Sequence, residues 1–276
     1  MSGLRRLSAL GNRVLDRMPA LYLALRKVYH LAKQETLDPT WGRIAAGLCP
    51  GELAVQAGPF AGMRYLAFAG GSGLLPKLVG SYEMELHAAV AESISRQPAR
   101  LINVGAAEGY YAVGYALRLP RLEVHAFDTD ALARQRLREL ARHNGVLHRI
   151  RCHGECSHRQ LENLIEDRTL IVCDCEGCEE ELLDAARAPR LGFADVLVEL
   201  HSERLPSITA SMLSRFAPTH AAIRIVMTDR ARAGAAFADV LSRIPPEDRG
   251  MALHEREERT EWLWLRSAAW PESSAA

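Results

Sequence analysis

From Tyr82 onward the sequence alternates short apolar runs with segments of helical period, and this alternation constrains the fold more than any other feature. Runs such as LINVG (101–105) and DVLVEL (195–200) lack the every-second-residue polarity of a half-exposed strand. Strands of that kind are buried on both sides, which calls for helices packed on both faces of a mainly parallel sheet. The pattern predicts seven strands, at 101–105, 122–128, 149–153, 169–174, 195–201, 221–227 and 261–266. Helices are expected at 82–97, 110–119, from 131 to a stop at Asn144-Gly145, and at 158–166, 178–188, 207–216 and 233–243. The fold class is therefore α/β, a doubly wound, mainly parallel seven-stranded sheet.

Upstream, residues 4–33 carry apolar positions at helical spacing, 53–68 suggests two short strands around a Gly58-Pro59 turn, and Gly70 to Gly73 forms a loop or hinge. The expected organisation is an accessory region of helices and a short β-hairpin (1–80), a sheet domain (81–270) and a disordered tail (271–276). Lys plus Arg equals Asp plus Glu at 34 each, so no overall field draws the chain to nucleic acid or an anionic membrane. The run Arg134, Arg136, Arg138, Arg142, Arg149 and Arg151 falls mostly on the outer face of an amphipathic helix, and no nucleic-acid partner is expected. Residues 1–33 hold basic residues among their apolar positions, too many for stable membrane insertion. Six cysteines without a secreted-scaffold spacing read as reduced thiols, hence a cytoplasmic protein. A homo-oligomer is compatible with all of this.

The first chemistry-bearing segment is Asn103-Val104-Gly105-Ala106-Ala107-Glu108-Gly109, between a strand and a helix, where open α/β sheets bind ligands. Gly105 permits a sharp turn and close backbone approach, and Gly109 keeps the helix start clear of bulk. Asp128, with Thr129 beside it, ends the next strand 23 residues after Gly105, where an acid accepts hydrogen bonds from both hydroxyls of an adenosine ribose. A dinucleotide fingerprint would place a glycine at 107, where this chain has Ala, and the loop carries Glu108 and no cation. That charge disfavours a pyrophosphate and favours S-adenosylmethionine, whose sulfonium and ammonium a carboxylate attracts.

NVGAAEGYY, HAFDTD and IVCDCEGCEEELLD followed by DVLVELH together resemble an FkbM-type methyltransferase over roughly residues 82–201. The family's D-V-E-G-x-E is matched by Asp174-Cys175-Glu176-Gly177-Cys178-Glu179, and its E-x-H by Glu199-Leu200-His201. Asn103 stands where Asp is usual. The resemblance implies a class I, Rossmann-like methyltransferase fold, S-adenosylmethionine as cofactor, and O-methylation of a saccharide or secondary-metabolite hydroxyl.

Methyl transfer to a hydroxyl needs in-line geometry and a group that takes a proton. His201 is the preferred base, with Glu199, Asp174 and Glu176 on the same rim as further catalytic candidates. Cofactor contacts are expected from Asn103, Gly105, Ala106, Glu108, Gly109, Asp128, Thr129, Asp174, Glu155 and Cys156 after the third strand, and Glu83 in a segment able to fold over the cofactor. Other roles stand beside these. His201 also suits a hydrogen-bonded loop histidine, Glu176 and Glu179 suit a helix N-terminus, and Ser81 to Glu85 suits a helix start with Ser81 as cap. Asp174, Glu199 and His201 have the chemistry of a divalent-ion set, and Cys173, Cys175 and Cys178, with Cys152 and Cys156, of a zinc or iron-sulfur set, but no metal is assigned. Trp262 and Trp264 are expected as packing residues. A nicotinamide-dependent oxidoreductase and a non-catalytic cofactor-binding scaffold are the competing functions.

Overall fold

The computed structural model describes residues 39–69, 73–202, 206–255 and 261–270. The helix expected over 4–33, most of the Gly70–Gly73 loop and the tail 271–276 lie outside them. The chain divides into two compact units, 1–42 and 43–276. Of the first, only the opening residues of helix α1 (Pro39–Leu48) are described.

In the second unit, α2 (Leu74–Val79) and α3 (His87–Ser95) precede β1 (Arg100–Val104), α4 (Tyr110–Arg118), β2 (Glu123–Phe127), α5 (Ala131–His143), β3 (Ile150–His153), α6 (His158–Leu164) and β4 (Thr169–Cys173). Then come α7 (Glu179–Leu182), β5 (Asp195–Leu200), α8 (Ile208–Phe216), β6 (His220–Val226), α9 (Arg230–Ala236), α10 (Ala238–Leu241), α11 (Arg249–Leu253) and β7 (Glu261–Ser267). The strands join in one sheet of order β3-β2-β1-β4-β5-β7-β6, with β7 antiparallel to both its neighbours and every other pairing parallel. All seven expected strands are present, and the doubly wound, Rossmann-like sheet is the fold. Trp262 and Trp264 are both 1% exposed, as packing residues should be.

Four expected elements differ. Between 53 and 68 the two short strands reduce to a single bridge, Ala54 with Arg64, because Gly58 and Gly62 take left-handed φ of 76° and 87° and turn the chain too tightly for a ladder. The helix expected over 82–97 begins only at His87, since Glu83 sits at φ 46° and cannot continue a right-handed helix; Ser81 Oγ caps nothing. The helix expected over 178–188 stops at Leu182, where the Asp184 carboxylate accepts the Ala186 N–H in a local turn ahead of Pro189. The helix expected over 233–243 is broken at Phe237 into α9 and α10.

The described residues between 43 and 80 belong to the same unit as the sheet and pack against it. Phe60 meets Tyr110 and Tyr115 edge-on at centroid distances of 5.3 and 5.5 Å. A Cβ on Gly114 would lie 2.5 Å from the Phe60 ring, so glycine in the middle of α4 admits the aromatic. Its backbone cost of roughly 0.5–1 kcal/mol is offset by burying Phe60, worth about 1.5–3 kcal/mol.

The register fixes where loops leave the sheet. Val104 stands opposite both Phe127 and Cys173, and Cys173 opposite Val198. The loops after β1, β2 and β4 therefore leave one edge at one level, with Glu199 one residue beyond that level on β5.

Candidate active site

The loop after β1 is held by its own backbone. Gly105 N–H and Ala106 N–H both donate to the Phe127 carbonyl at 2.9 Å, Gly109 N–H donates to Ala106 O at 2.8 Å, and Ala107 N–H donates to Asp128 Oδ2 at 2.8 Å. Asp128 Oδ1 accepts the Asp130 N–H at 2.7 Å, and Arg134 donates to the Asp128 carbonyl. Each Asp128 oxygen keeps a lone pair, and burial raises its carboxyl from the ordinary aspartate value. Asp128 thus organises the glycine loop from the end of β2 while still able to accept from a ligand. Thr129 is exposed beside it.

Gly105 has φ 73°, and a Cβ there would lie 1.5 Å from the Asp174 carbonyl oxygen. The close approach this glycine allows is to the loop after β4. Gly109 has φ 99°, and a Cβ there would press on Leu137 at 2.8 Å.

Glu108 departs from its expected role. Its carboxylate is fully buried, accepts the Tyr65 hydroxyl at 2.6 Å and pairs with Lys77, itself 2% exposed. The cation missing from the loop comes from α2, so Glu108 is a neutralised core group and lends the site no attraction for a cation. Asn103 likewise lies inside β1, its amide donating to Val172 O at 3.3 Å. Glu155 is exposed, whereas Cys156 packs against the apolar cluster beneath β4 and β5, and burial and Glu155 push its thiol up to about 12.

Beyond β4 the turn Asp174 to Glu179 is tightly built. Glu176 and Gly177 take left-handed φ of 60° and 105°, Glu179 Oε1 accepts the Cys175 and Gly177 N–H groups at 3.0 and 3.1 Å, and a disulfide joins Cys175 to Cys178. The expectation of reduced thiols is corrected for these two, which also removes them from a metal set. Cys49, Cys152, Cys156 and Cys173 are free.

This turn brings Asp174, Glu176 and Glu179 to His201. His201 Nε2 lies 3.8 Å from Asp174 Oδ1 and 3.6 Å from Glu176 Oε2, while Nδ1 lies 2.9 Å from Glu179 Oε1. Burial opposes protonation of His201, yet Glu179, Asp174 and Glu176 outweigh it and raise its pKa. Glu179 is wholly buried; burial would raise its carboxyl, but His201 and the Gly177 N–H bring it below the ordinary value. Asp174 is pushed up to about 6, mainly by burial and also by the nearby Glu83 and Glu176. A hydrogen bond with Glu199, which is 1% exposed, partly offsets that rise. Glu83 is buried, accepts the Tyr111 hydroxyl, and is held at its N–H by Glu255 Oε2 at 3.1 Å.

His201, Glu199, Asp174, Glu176 and Glu83 are thus gathered by the tertiary structure. Sequence reasoning left Glu179 as a helix-start residue and overlooked Glu255. The motif spacing did mark Glu179, five residues after Asp174, whereas nothing local marks Glu255.

No family model matches the chain, and no curated protein matches it. Solved structures resemble it distantly. A putative O-methyltransferase from Klebsiella pneumoniae is 13% identical, over 86% of this chain and 94% of that one, with a TM-score of 0.45. A putative rRNA-methylase from Clostridium thermocellum is 9% identical, over 69% and 98%, with a TM-score of 0.46. The O-methyltransferase TomG from Streptomyces achromogenes, in complex with SAM, is 11% identical, over 64% and 77%, with a TM-score of 0.44. Likenesses of this size decide neither cofactor nor reaction for this chain. Among the described residues no helix is long and apolar enough to cross a membrane.

Proposed function

We propose that the chain is an S-adenosylmethionine-dependent methyltransferase of the FkbM type that methylates a hydroxyl of a small-molecule acceptor, a saccharide or secondary metabolite. The observation that carries the reading is the acidic rim beside the glycine loop: Asp174, Glu176 and Glu179 surround a single imidazole, His201, and Glu83 and Glu199 stand by Asp174. Such a rim attracts a sulfonium and an ammonium and repels a diphosphate. Asp174 Oδ1 is buried and accepts no hydrogen bond, so the cradle has an acceptor in reserve for a cationic ligand.

The alternative of a nicotinamide-dependent oxidoreductase fares worse. A pyrophosphate at this helix start needs free amides, and those of Gly105, Ala106, Ala107 and Gly109 are already bonded within the loop or to the end of β2.

On this reading the lone pairs of Asp128 hold the ribose, and the acidic rim, Glu83 foremost, holds the cationic end. Bound S-adenosylmethionine supplies an electrophilic methyl group. His201 and the linked Asp174–Glu199 carboxyls, with Glu176 at the mouth, receive the proton the acceptor loses and orient its oxygen. Calorimetric titration with S-adenosylmethionine and with its demethylated product tests the reading. The full chain should bind both, and Asp128→Asn should weaken both by roughly tenfold or more, the loss of about one charge-assisted hydrogen bond. A folded protein that binds neither at millimolar ligand overturns it.

A further inference from the structure

Three side chains on the rim share an anomaly. Asp174 Oδ1, Glu179 Oε2 and His201 Nδ1 are all buried, and none has a hydrogen-bond partner. Glu179 is 0% exposed and His201 8%, so these two are shielded from solvent, and although the Asp174 side chain is 29% exposed its Oδ1 is buried. A buried carboxylate oxygen without a donor is costly and is ordinarily paired or metal-bound. One ligand atom from each of these three residues lies within 4.8 Å of the other two.

His201 Nδ1 and Glu179 Oε1 are 2.9 Å apart, an ion-pair distance, while Oε2 of the same carboxylate is left without a donor. Two neighbouring ligands of one ion, each about 2.1 Å from it, stand about 3 Å apart without bonding to each other. The turn that presents Asp174 and Glu179 is also built in advance by the Cys175 and Gly177 amides, so little has to move.

We propose that Asp174, Glu179 and His201 form a divalent-cation site. Two carboxylates and one imidazole suit an ion that accepts hard oxygen and borderline nitrogen, of which Mn²⁺ is the type. The set takes Glu179 in place of Glu199, which is hydrogen-bonded to Asp174. The consequence for catalysis rests on the methyltransferase reading; the binding itself does not. The ion takes the acceptor hydroxyl as a ligand, which acidifies it, and the Glu176 carboxylate at the mouth of the site receives the hydroxyl proton. The oxygen forms its bond to the methyl carbon as the sulfur–methyl bond breaks, the bonding pair staying on sulfur. His201 then serves through the ion.

The test is Mn²⁺ titration of the chelator-treated full chain, with no methyl donor present, followed by the loss of the free-ion paramagnetic signal. One tight site per chain is expected. Asp174→Asn and His201→Asn should each weaken it by about 10- to 100-fold, the scale of disrupted metal-site shells. Asp128→Asn should leave it unchanged while impairing S-adenosylmethionine binding, which separates failure of the ion site from failure of the cofactor reading. Circular dichroism establishes that the variants are folded, and Glu247→Gln, at an exposed position with no part in the site, serves as the surface control. Failure of the folded wild-type chain to bind Mn²⁺, or binding of equal strength in Asp174→Asn and His201→Asn, overturns the proposal.

Discussion

The Cα of Gly105 faces the carbonyl oxygen of Asp174 so closely that a Cβ on residue 105 would lie 1.5 Å from it. The loop after β1 and the loop after β4 are therefore one mechanical unit, and the left-handed φ of 73° at Gly105 makes it possible. Gly105→Ala should lose stability by about 1–3 kcal/mol from the backbone conformation alone, with the clash adding to that. Because it displaces Asp174, it should also weaken binding of the demethylated cofactor. Urea unfolding and calorimetry on the same preparation check both.

Lys77 and Glu108 neutralise each other in the core, so removing one strands the other. Lys77→Met should cost about 3–5 kcal/mol, while the double variant Lys77→Met with Glu108→Gln should recover much of that loss. The double variant should also bind S-adenosylmethionine as the wild type does, since Glu108 faces the core. Denaturant melts and a titration decide the matter; a large affinity loss in the folded double variant would return Glu108 to the site.

Asp174 titrates at about 6 in the folded chain, above the ordinary aspartate range, because burial disfavours its charged form. The folded state therefore holds this proton more firmly than the unfolded state, and the group's contribution to stability falls as pH rises from about 4 to about 6. In chelator-containing buffer, Asp174→Asn should leave stability little changed at pH 4. At pH 8 it should raise stability by about 1–3 kcal/mol, the free energy that separates the two protonation states of a carboxyl raised this far. Thermal melts at the two pH values suffice; equal effects at both would contradict the raised carboxyl.

Cysteine chemistry gives an independent check on the turn after β4. Alkylation of the unfolded, unreduced chain should label Cys49, Cys152, Cys156 and Cys173, and a dithiol reductant should add Cys175 and Cys178. In the folded chain Cys49 and Cys173 should react last, being buried. Peptide mass spectrometry reads every position.

The sequence alone determined the strands, because a strand buried on both faces must be apolar throughout and so leaves a local signature, as in β1 and β5. It determined also that Gly105, Asp128, Asp174 and Glu199–His201 fall at strand ends, since parallel strands deliver their loops to one edge. Single residues that leave the helical conformation were not legible. Glu83 and Phe237 interrupt helical patterns that look continuous, because backbone conformation at a single residue leaves no trace in hydrophobic period. Tertiary structure alone decided the charges. Glu108 stands in a loop without a cation until Lys77, 31 residues upstream, is packed against it, and Glu179 is a plain helix-start acid until β5 delivers His201 to within 2.9 Å. Electrostatic partners are chosen by proximity in space, and a pairing across separate elements has no periodicity by which a sequence could announce it.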